Sequence, residues 1–236
     1  MGKIFMICSG SGGTGKSTVA LALAVRFAQA GKQTILLDAS GASRSCDLML
    51  GMESIVSLDM VDVIRQQASA EAALYTVPDC DHLRFGCASL YDDVPLSELS
   101  AALLVIHSLC DVLIVDLPTG EIDLGEGLLG REDARLIVCR PDDASIRSAE
   151  RLMLRITDRK PDMRLVVNRV NASRVRRGLQ YDASTVEAVL DCPLLASIPE
   201  DETLSDCPSH GKTVLACGGS ANKALSAMAA ALADGR

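Results

Sequence analysis

The stretch Ser9-Gly10-Ser11-Gly12-Gly13-Thr14-Gly15-Lys16-Ser17-Thr18 follows the apolar run Ile4 to Cys8 and leads into the helical run Val19 to Val25. It asks a short buried strand to turn through a glycine-rich loop and enter a helix at once. Gly10, Gly15, Lys16 and Ser17 fill the fixed positions of G-x-x-x-x-G-K-[ST], a loop that cradles chains of phosphates. The residue types follow from the charge of such a ligand. Glycines let the backbone turn sharply and point N–H groups inward as an anion nest. The helix opening near Lys16 aims its positive dipole end at the same place. Lys16 brings a mobile ammonium to the β- and γ-phosphates, and the Ser17 hydroxyl suits a magnesium ion. The implied ligand is ATP or GTP with Mg2+.

The remainder reads as a sheet that such a loop can serve. Strands are expected at 3–8, 34–38, 83–88, 112–116, 135–139, 164–168 and 194–198, and helices at 16–30, 57–67, 96–109, 143–158, 184–191, 201–209 and 219–233. This alternation predicts an α/β fold: a single P-loop NTPase domain over residues 1–236, with a doubly wound, mainly parallel sheet and helices on both faces. Of the 236 residues 48% are hydrophobic but only 3% aromatic, with no tryptophan, so the core is aliphatic, as parallel strands covered on both faces prefer. Ligands of such sheets sit at the carboxyl ends of the strands. The polar residues found there are Asp38, Asp116, Asn168 with Arg169, and Pro199 with Glu200.

The net charge of −8 argues against a grip on nucleic acid or anionic lipid driven by overall charge. The cluster Arg174, Arg176 and Arg177 reads as a solvated loop. Nine cysteines include no C-x-x-C pair, which fits a reducing cytoplasm better than a disulfide framework or metal cluster. Cys8, Cys110 and Cys139 read as small buried hydrophobes. No run is long enough to span a bilayer. In the last helix Leu225, Met228, Ala229 and Leu232 share a face that reads as core, not as a membrane-surface anchor.

Taken in order, these motifs resemble the MinD/ParA-type P-loop ATPases, the MinD branch most closely, over nearly the whole chain. Ser11 to Ser17 resembles the family's K-G-G-x-G-K-[ST] loop. Leu37-Asp38-Ala39 with Cys46-Asp47-Leu48-Met49-Leu50-Gly51 resembles its first switch. Asp116-Leu117-Pro118-Thr119-Gly120 resembles its second, D-x-P-x-G. Asn168-Arg169 is similar to an adenine-reading asparagine and its neighbour, and Ile198-Pro199-Glu200-Asp201 to the I-P-E-D turn that packs on the base. The resemblance implies that Gly12, Gly13, Thr14, Gly15, Lys16, Ser17 and Thr18 wrap the phosphates. It implies magnesium held by Ser17 directly and by Asp38 and Asp116 through water, with Lys16, Asp38 and Asp116 as the catalytic set. Asn168, Arg169, Pro199 and Glu200 are then the residues around the base. ATP is expected over GTP, because no N-K-x-D reads guanine here.

Two departures bear on turnover. The family's first loop lysine, which reaches across a nucleotide-sandwiched dimer, is Ser11 here. The carboxylate that orients water in its D-x-D is Ser40. Serine supplies neither the cation nor the base, so weak ATP hydrolysis and weakened ATP-dependent homodimerisation are expected. Arg44 and Arg131 are candidate replacements for the lost charge. The resemblance implies an ATP-operated switch that positions the division site or another cellular structure through a protein partner. It is expected in the cytoplasm, recruited to the membrane by that partner without inserting itself and without binding nucleic acid directly. Two alternatives on the same fold are a pilus-positioning scaffold with little hydrolysis, and a cofactor or metal-centre maturation ATPase.

Overall fold

The computed structural model describes residues 2–41, 45–88, 96–121, 133–156, 162–206 and 219–235. In chain order the elements are β1 (Lys3–Cys8), α1 (Lys16–Gln29), β2 (Thr34–Asp38), α2 (Cys46–Leu50), α3 (Met60–Ile64), β3 (Tyr75–Thr76), β4 (Leu83–Cys87), α4 (Leu96–His107) and β5 (Val112–Asp116). There follow β6 (Ala134–Cys139), α5 (Asp143–Met153), β7 (Asp162–Val170), α6 (Ala172–Arg176), α7 (Ala183–Leu190), β8 (Leu194–Pro199), α8 (Glu202–Asp206) and α9 (Ser220–Ala233).

The strands form one sheet in the order β3-β4-β2-β5-β1-β6-β7-β8, all neighbours parallel except the edge pair β3 and β4. The chain builds outward from β1 in one direction with β2 and β4, then crosses to the other side with β6, β7 and β8. A crevice therefore opens at the carboxyl end of β1, where the glycine loop lies.

Strand periodicity sends alternate residues to opposite faces. Phe5 and Ile7 join a core with Leu21, Leu36, Ile114, Leu136, Leu225 and Met228 under α1 and α9. Ile4, Met6 and Cys8 join a second core with Leu37, Leu103, Ile106, Val115, Ile146 and Val186 under α4, α5 and α7. Phe5 stacks on Phe27 with ring centroids 5.5 Å apart. Leu225, Met228, Ala229 and Leu232 are buried, so the apolar face of the last helix is core, as its pattern predicted.

Several expectations need correction. The helix expected at 57–67 is the single turn α3, closed by a capping box from Asp59 and Asp62. The helix expected at 143–158 ends at Met153. Arg174 and Arg176 lie not in a loop but in the short exposed helix α6, started by the Asn171 side chain, which accepts from Ser173 N and Arg174 N; Arg177 is its C-cap. The pattern missed β3, α2 and α6, each of five residues or fewer. Arg44, Arg131, Cys207, Cys217 and the end of the helix expected at 201–209 lie outside the described residues.

Candidate functional site

Strand ends and the glycine loop converge at the carboxyl edge of the sheet. Gly13 and Gly15 have φ of 71° and 88°, a left-handed backbone that glycine adopts without strain. A Cβ on Gly10 would collide with the Ser148 carbonyl of α5, and one on Gly15 with the Asn168 amide, so these positions are fixed by close approach as well. Gly12 and Gly13 border open space. Thr14 Oγ1 is buried without a hydrogen-bond partner, a polar atom inside the loop that a ligand oxygen could satisfy. This cradle fits a chain of phosphates.

Backbone bonds beyond the strand ends hold the neighbouring loops in step. Leu117 N donates to Ile7 O (3.1 Å), Gly120 N to Ser9 O (2.8 Å), Ala39 N to Asp116 O (2.9 Å) and Ala88 N to Asp38 O (2.8 Å). Asp38 and Asp116 are paired in register at the ends of β2 and β5, and both are fully shielded from solvent.

Lys16 Nζ lies 2.5 Å from Asp116 Oδ1, a buried ion pair directly beneath the loop. Burial pushes the Asp116 carboxyl up from its ordinary range; the Lys16 ammonium opposes this, the Asp38 charge adds to it, and hydrogen bonds from Lys16 and Ser17 pull back down. Asp38 anchors the loop that leads to α2. Its Oδ1 accepts from Ser40 N (3.0 Å) and Ser40 Oγ (2.5 Å), and its Oδ2 from Ser45 N (3.1 Å) and Cys46 N (3.0 Å). The Ser40 hydroxyl is thus committed as a donor. Cys46 Sγ donates to Asp116 Oδ2 at 3.8 Å. Burial, followed by the charges of Asp38 and Asp116, pushes this thiol well above its ordinary range. Thr18 Oγ1 touches Met49 Sδ at 3.9 Å, so its side chain faces α2.

The residues expected around the base group separately. Asn168 Nδ2 donates to Thr14 O at 2.8 Å and its Oδ1 accepts from Arg169 N at 2.9 Å, so this amide braces the glycine loop from β7. Arg169 takes a left-handed φ of 60°. With Glu200, Arg140, Asp142 and Tyr181 it lines a cavity of about 570 Å³. Glu200 follows Pro199 at the end of β8, donates its N–H to Val170 O (3.1 Å), and accepts from Asn171 Nδ2 (2.9 Å). Asp201 turns away from this cavity. It accepts from Thr203 and from Ala221 N and Ser220 Oγ at the start of α9, and these bonds, the Thr203 hydroxyl first, hold its carboxyl down at about 2.

The structure places the expected loop and strand-end residues side by side, and adds Cys46, which no motif had singled out. Its signal was position: it opens the helix whose backbone Asp38 holds, facing the second strand-end carboxylate.

A glycine loop on a buried lysine, beside two strand-end aspartates, defines a P-loop nucleotide-binding domain. Residues 5–214 match the CobQ/CobB/MinD/ParA nucleotide binding domain, and the chain belongs to that family. It is 29% identical over 227 residues to the septum site-determining protein MinD of Helicobacter pylori, covering 91% of this chain and 84% of that protein. It superposes on the MinC:MinD cell division protein complex of Aquifex aeolicus with a TM-score of 0.87 at 26% identity, covering 98% and 96% of the two chains. The septum site-determining protein MinD of Pyrococcus horikoshii, complexed with Mg-ADP, shares the fold with a TM-score of 0.79 at 21% identity, covering 97% and 95% of the two chains.

Proposed function

We propose that the chain is an ATP-binding switch of MinD type that hydrolyses ATP slowly and positions a cellular structure through a protein partner. One observation carries this reading: Lys16, Ser17, Asp38 and Asp116 meet beneath a glycine loop whose buried Thr14 hydroxyl lacks a partner. Bound Mg·ATP supplies the phosphoryl group, and its cation spreads the charge that develops as that group leaves. Lys16 exchanges Asp116 for the β- and γ-phosphates. Ser17, already bonded to Asp116, would hold the metal together with Asp38 and Asp116. The loop N–H groups neutralise the phosphates, and Asn168 sets the loop against the base side.

The same arrangement accounts for slow turnover. An attacking water needs a base, and the side chain two residues beyond β2's aspartate, Ser40, donates its hydrogen bond to Asp38. A serine at position 11 carries no cation to a partner's phosphates, and loss of such a charge lowers turnover by about 10³-fold or more by analogy with arginine fingers. The Helicobacter and Aquifex relatives bear names tied to septum placement and cell division, which favours division-site positioning over the scaffold and maturation readings.

Isothermal titration of Mg·ATP and Mg·GTP into the wild type and Lys16→Ala tests the ligand. ATP is expected to bind tighter than GTP, and Lys16→Ala to bind at least about 100-fold more weakly. Equal binding by both proteins would remove the loop from the reading. Turnover and light scattering with ATP then compare the wild type with Ser11→Lys/Ser40→Asp. The double variant is expected to dimerise and turn over faster; equal rates sink the account of slow hydrolysis.

A further inference from the structure

Asn168 meets two backbone groups of opposite kind. Its Nδ2 donates to Thr14 O at 2.8 Å and its Oδ1 accepts from Arg169 N at 2.9 Å. A carbonyl on one side and an N–H on the other fix which end of the amide is which. The side chain is 7% exposed, and a Cβ added to Gly15 would collide with its nitrogen. The amide therefore rests against the last glycine of the loop. A residue that served the base alone has no need of that contact.

Building on the nucleotide-binding reading above, we propose that Asn168 is a positioning residue of the phosphate cradle: by holding the Thr14 carbonyl it aims the Gly15 N–H at the phosphates, whether or not a base is present.

The peptide unit between Thr14 and Gly15 is the lever. It is planar and trans, so its C=O and N–H point in opposite directions. Drawing the carbonyl towards β7 turns the Gly15 N–H away from β7. Among the described residues no acceptor takes up that N–H. Gly15 is also the N-cap of α1 and brings no side-chain hydrogen bond to the start of that helix. The first N–H groups of a helix need outside partners, and an anion suits them because the helix dipole favours it there.

The exit turn of β7 holds the amide in place. Arg169 has a left-handed φ of 60°, a conformation that is costly for a residue with a side chain and persists where its neighbours over-determine it. Two bonds do so: Arg169 N donates to Asn168 Oδ1, and Gln180 Nε2 donates to Arg169 O at 3.0 Å. Gln180 Oε1 also accepts from Asn171 N at 2.7 Å, which clasps the turn on its far side. With the Asn168 oxygen held by the turn, the nitrogen is left facing Thr14. An amide carries two N–H groups and an oxygen with two lone pairs. One of each is spent inside the chain, and one of each remains for the polar edge of a base. Asn168 thereby ties both ends of the ligand to a single side chain.

The test uses inorganic tripolyphosphate with Mg2+, which has the phosphates of ATP and no base, titrated calorimetrically into the full chain beside Mg·ATP. The wild type is expected to bind both. Asn168→Ala is expected to bind tripolyphosphate about tenfold more weakly, the scale of one hydrogen bond. Asn168→Asp keeps the acceptor for Arg169 N but sets an oxygen against Thr14 O, and is expected to lose at least as much. Asn171→Ala, whose side chain starts α6 from the same exit turn, is expected to bind tripolyphosphate as the wild type does. Should the Asn168 variants not fold, the wild type decides: tripolyphosphate alone must move the nuclear magnetic resonance signals of the Gly15 N–H and the Asn168 side-chain N–H groups together. Folded Asn168 variants that keep their tripolyphosphate affinity overturn the proposal, and if they lose ATP affinity alone the nucleotide reading stands without it. An equal loss in Asn171→Ala, unmoved signals, or a wild type that binds ATP but not tripolyphosphate also overturns it. A wild type that binds neither ligand overturns both.

Discussion

Lys16, Asp38 and Asp116, at the ends of β2 and β5 and under the glycine loop, are 7%, 0% and 0% exposed. Arg140 and Asp142, at the end of β6, keep 39% and 43% of their side chains in solvent. The first group is held by bonds that leave no side chain free to wander: a lysine on an aspartate, and an aspartate on four donors. The second is stitched by solvent-facing pairs, such as Arg140 on Asp142 and the Tyr181 hydroxyl on Asp143. The loop region is thus dry and preassembled, and the region at the end of β6 wet and adaptable. Electrostatic contacts count for more where water is excluded, so the fold concentrates its strong interactions beneath the glycine loop.

The hardest test of this contrast is Lys16→Ala. Removing the partner of a buried aspartate is expected to lower the unfolding free energy by about 3 kcal/mol at neutral pH, measured by urea, and Asp116→Asn added to it to restore most of the loss. Because Asp116 is already held above its ordinary carboxyl range by burial, the deficit of the single variant widens as pH rises past that range and shrinks as the carboxyl takes up a proton. A single variant as stable as the wild type would break the comparison.

Gly10→Ala comes next. A methyl there meets the Ser148 backbone, which cannot rotate away, and overpacking of this kind costs about 2 kcal/mol, read as a lower melting temperature. Asp201→Ala follows, at about 1 kcal/mol or less once solvent screening is allowed for. Its folded carboxyl is depressed to about 2 from 3.8, so its stabilisation is complete above about pH 4 and is lost as pH falls towards 2. Wild type and variant should therefore differ at pH 7 and converge near pH 2. Arg140→Ala, on the wet side, is expected to stay within about 0.5 kcal/mol of the wild type. A loss as large as that of Lys16→Ala would erase the distinction.

How much of this the sequence disclosed follows the same division. β1, β2 and β5 begin and end where the apolar runs Lys3–Cys8, Thr34–Asp38 and Val112–Asp116 do, because a strand buried on both faces has to be apolar throughout. Lys16, Asp38 and Asp116 were legible because backbone turns and charge demand those residue types at those places. β3 was not, being two residues of antiparallel edge set by its pairing with Arg84 and Phe85. Nor was α2: its five residues are started by a carboxylate eight positions back, Asp38, which accepts from the Cys46 N–H. The cavity at the wet end depends on tertiary neighbours such as Arg140, Tyr181 and Glu200, which no local pattern links. Asn168 was found, but its bond to Thr14 O was not, because spacing along a chain says nothing of which backbone a side chain will meet.

The row of backbone bonds that runs Ser9–Gly120, Ile7–Leu117, Asp116–Ala39 and Asp38–Ala88 continues the sheet's ladder past its own strands. It has a consequence for how this chain can vary in length. An extra residue inserted between Asp116 and Gly120, or between Ile7 and Ser9, puts the two sides of a rung out of count and shifts every loop behind it. An insertion after Gly120 or after Ala88 lands beyond the last rung among the described residues and disturbs none of these four. Length changes are expected to be tolerated at those outer points and refused at the inner ones, so a scan of single-glycine insertions, scored by soluble yield, would trace the rungs one residue at a time.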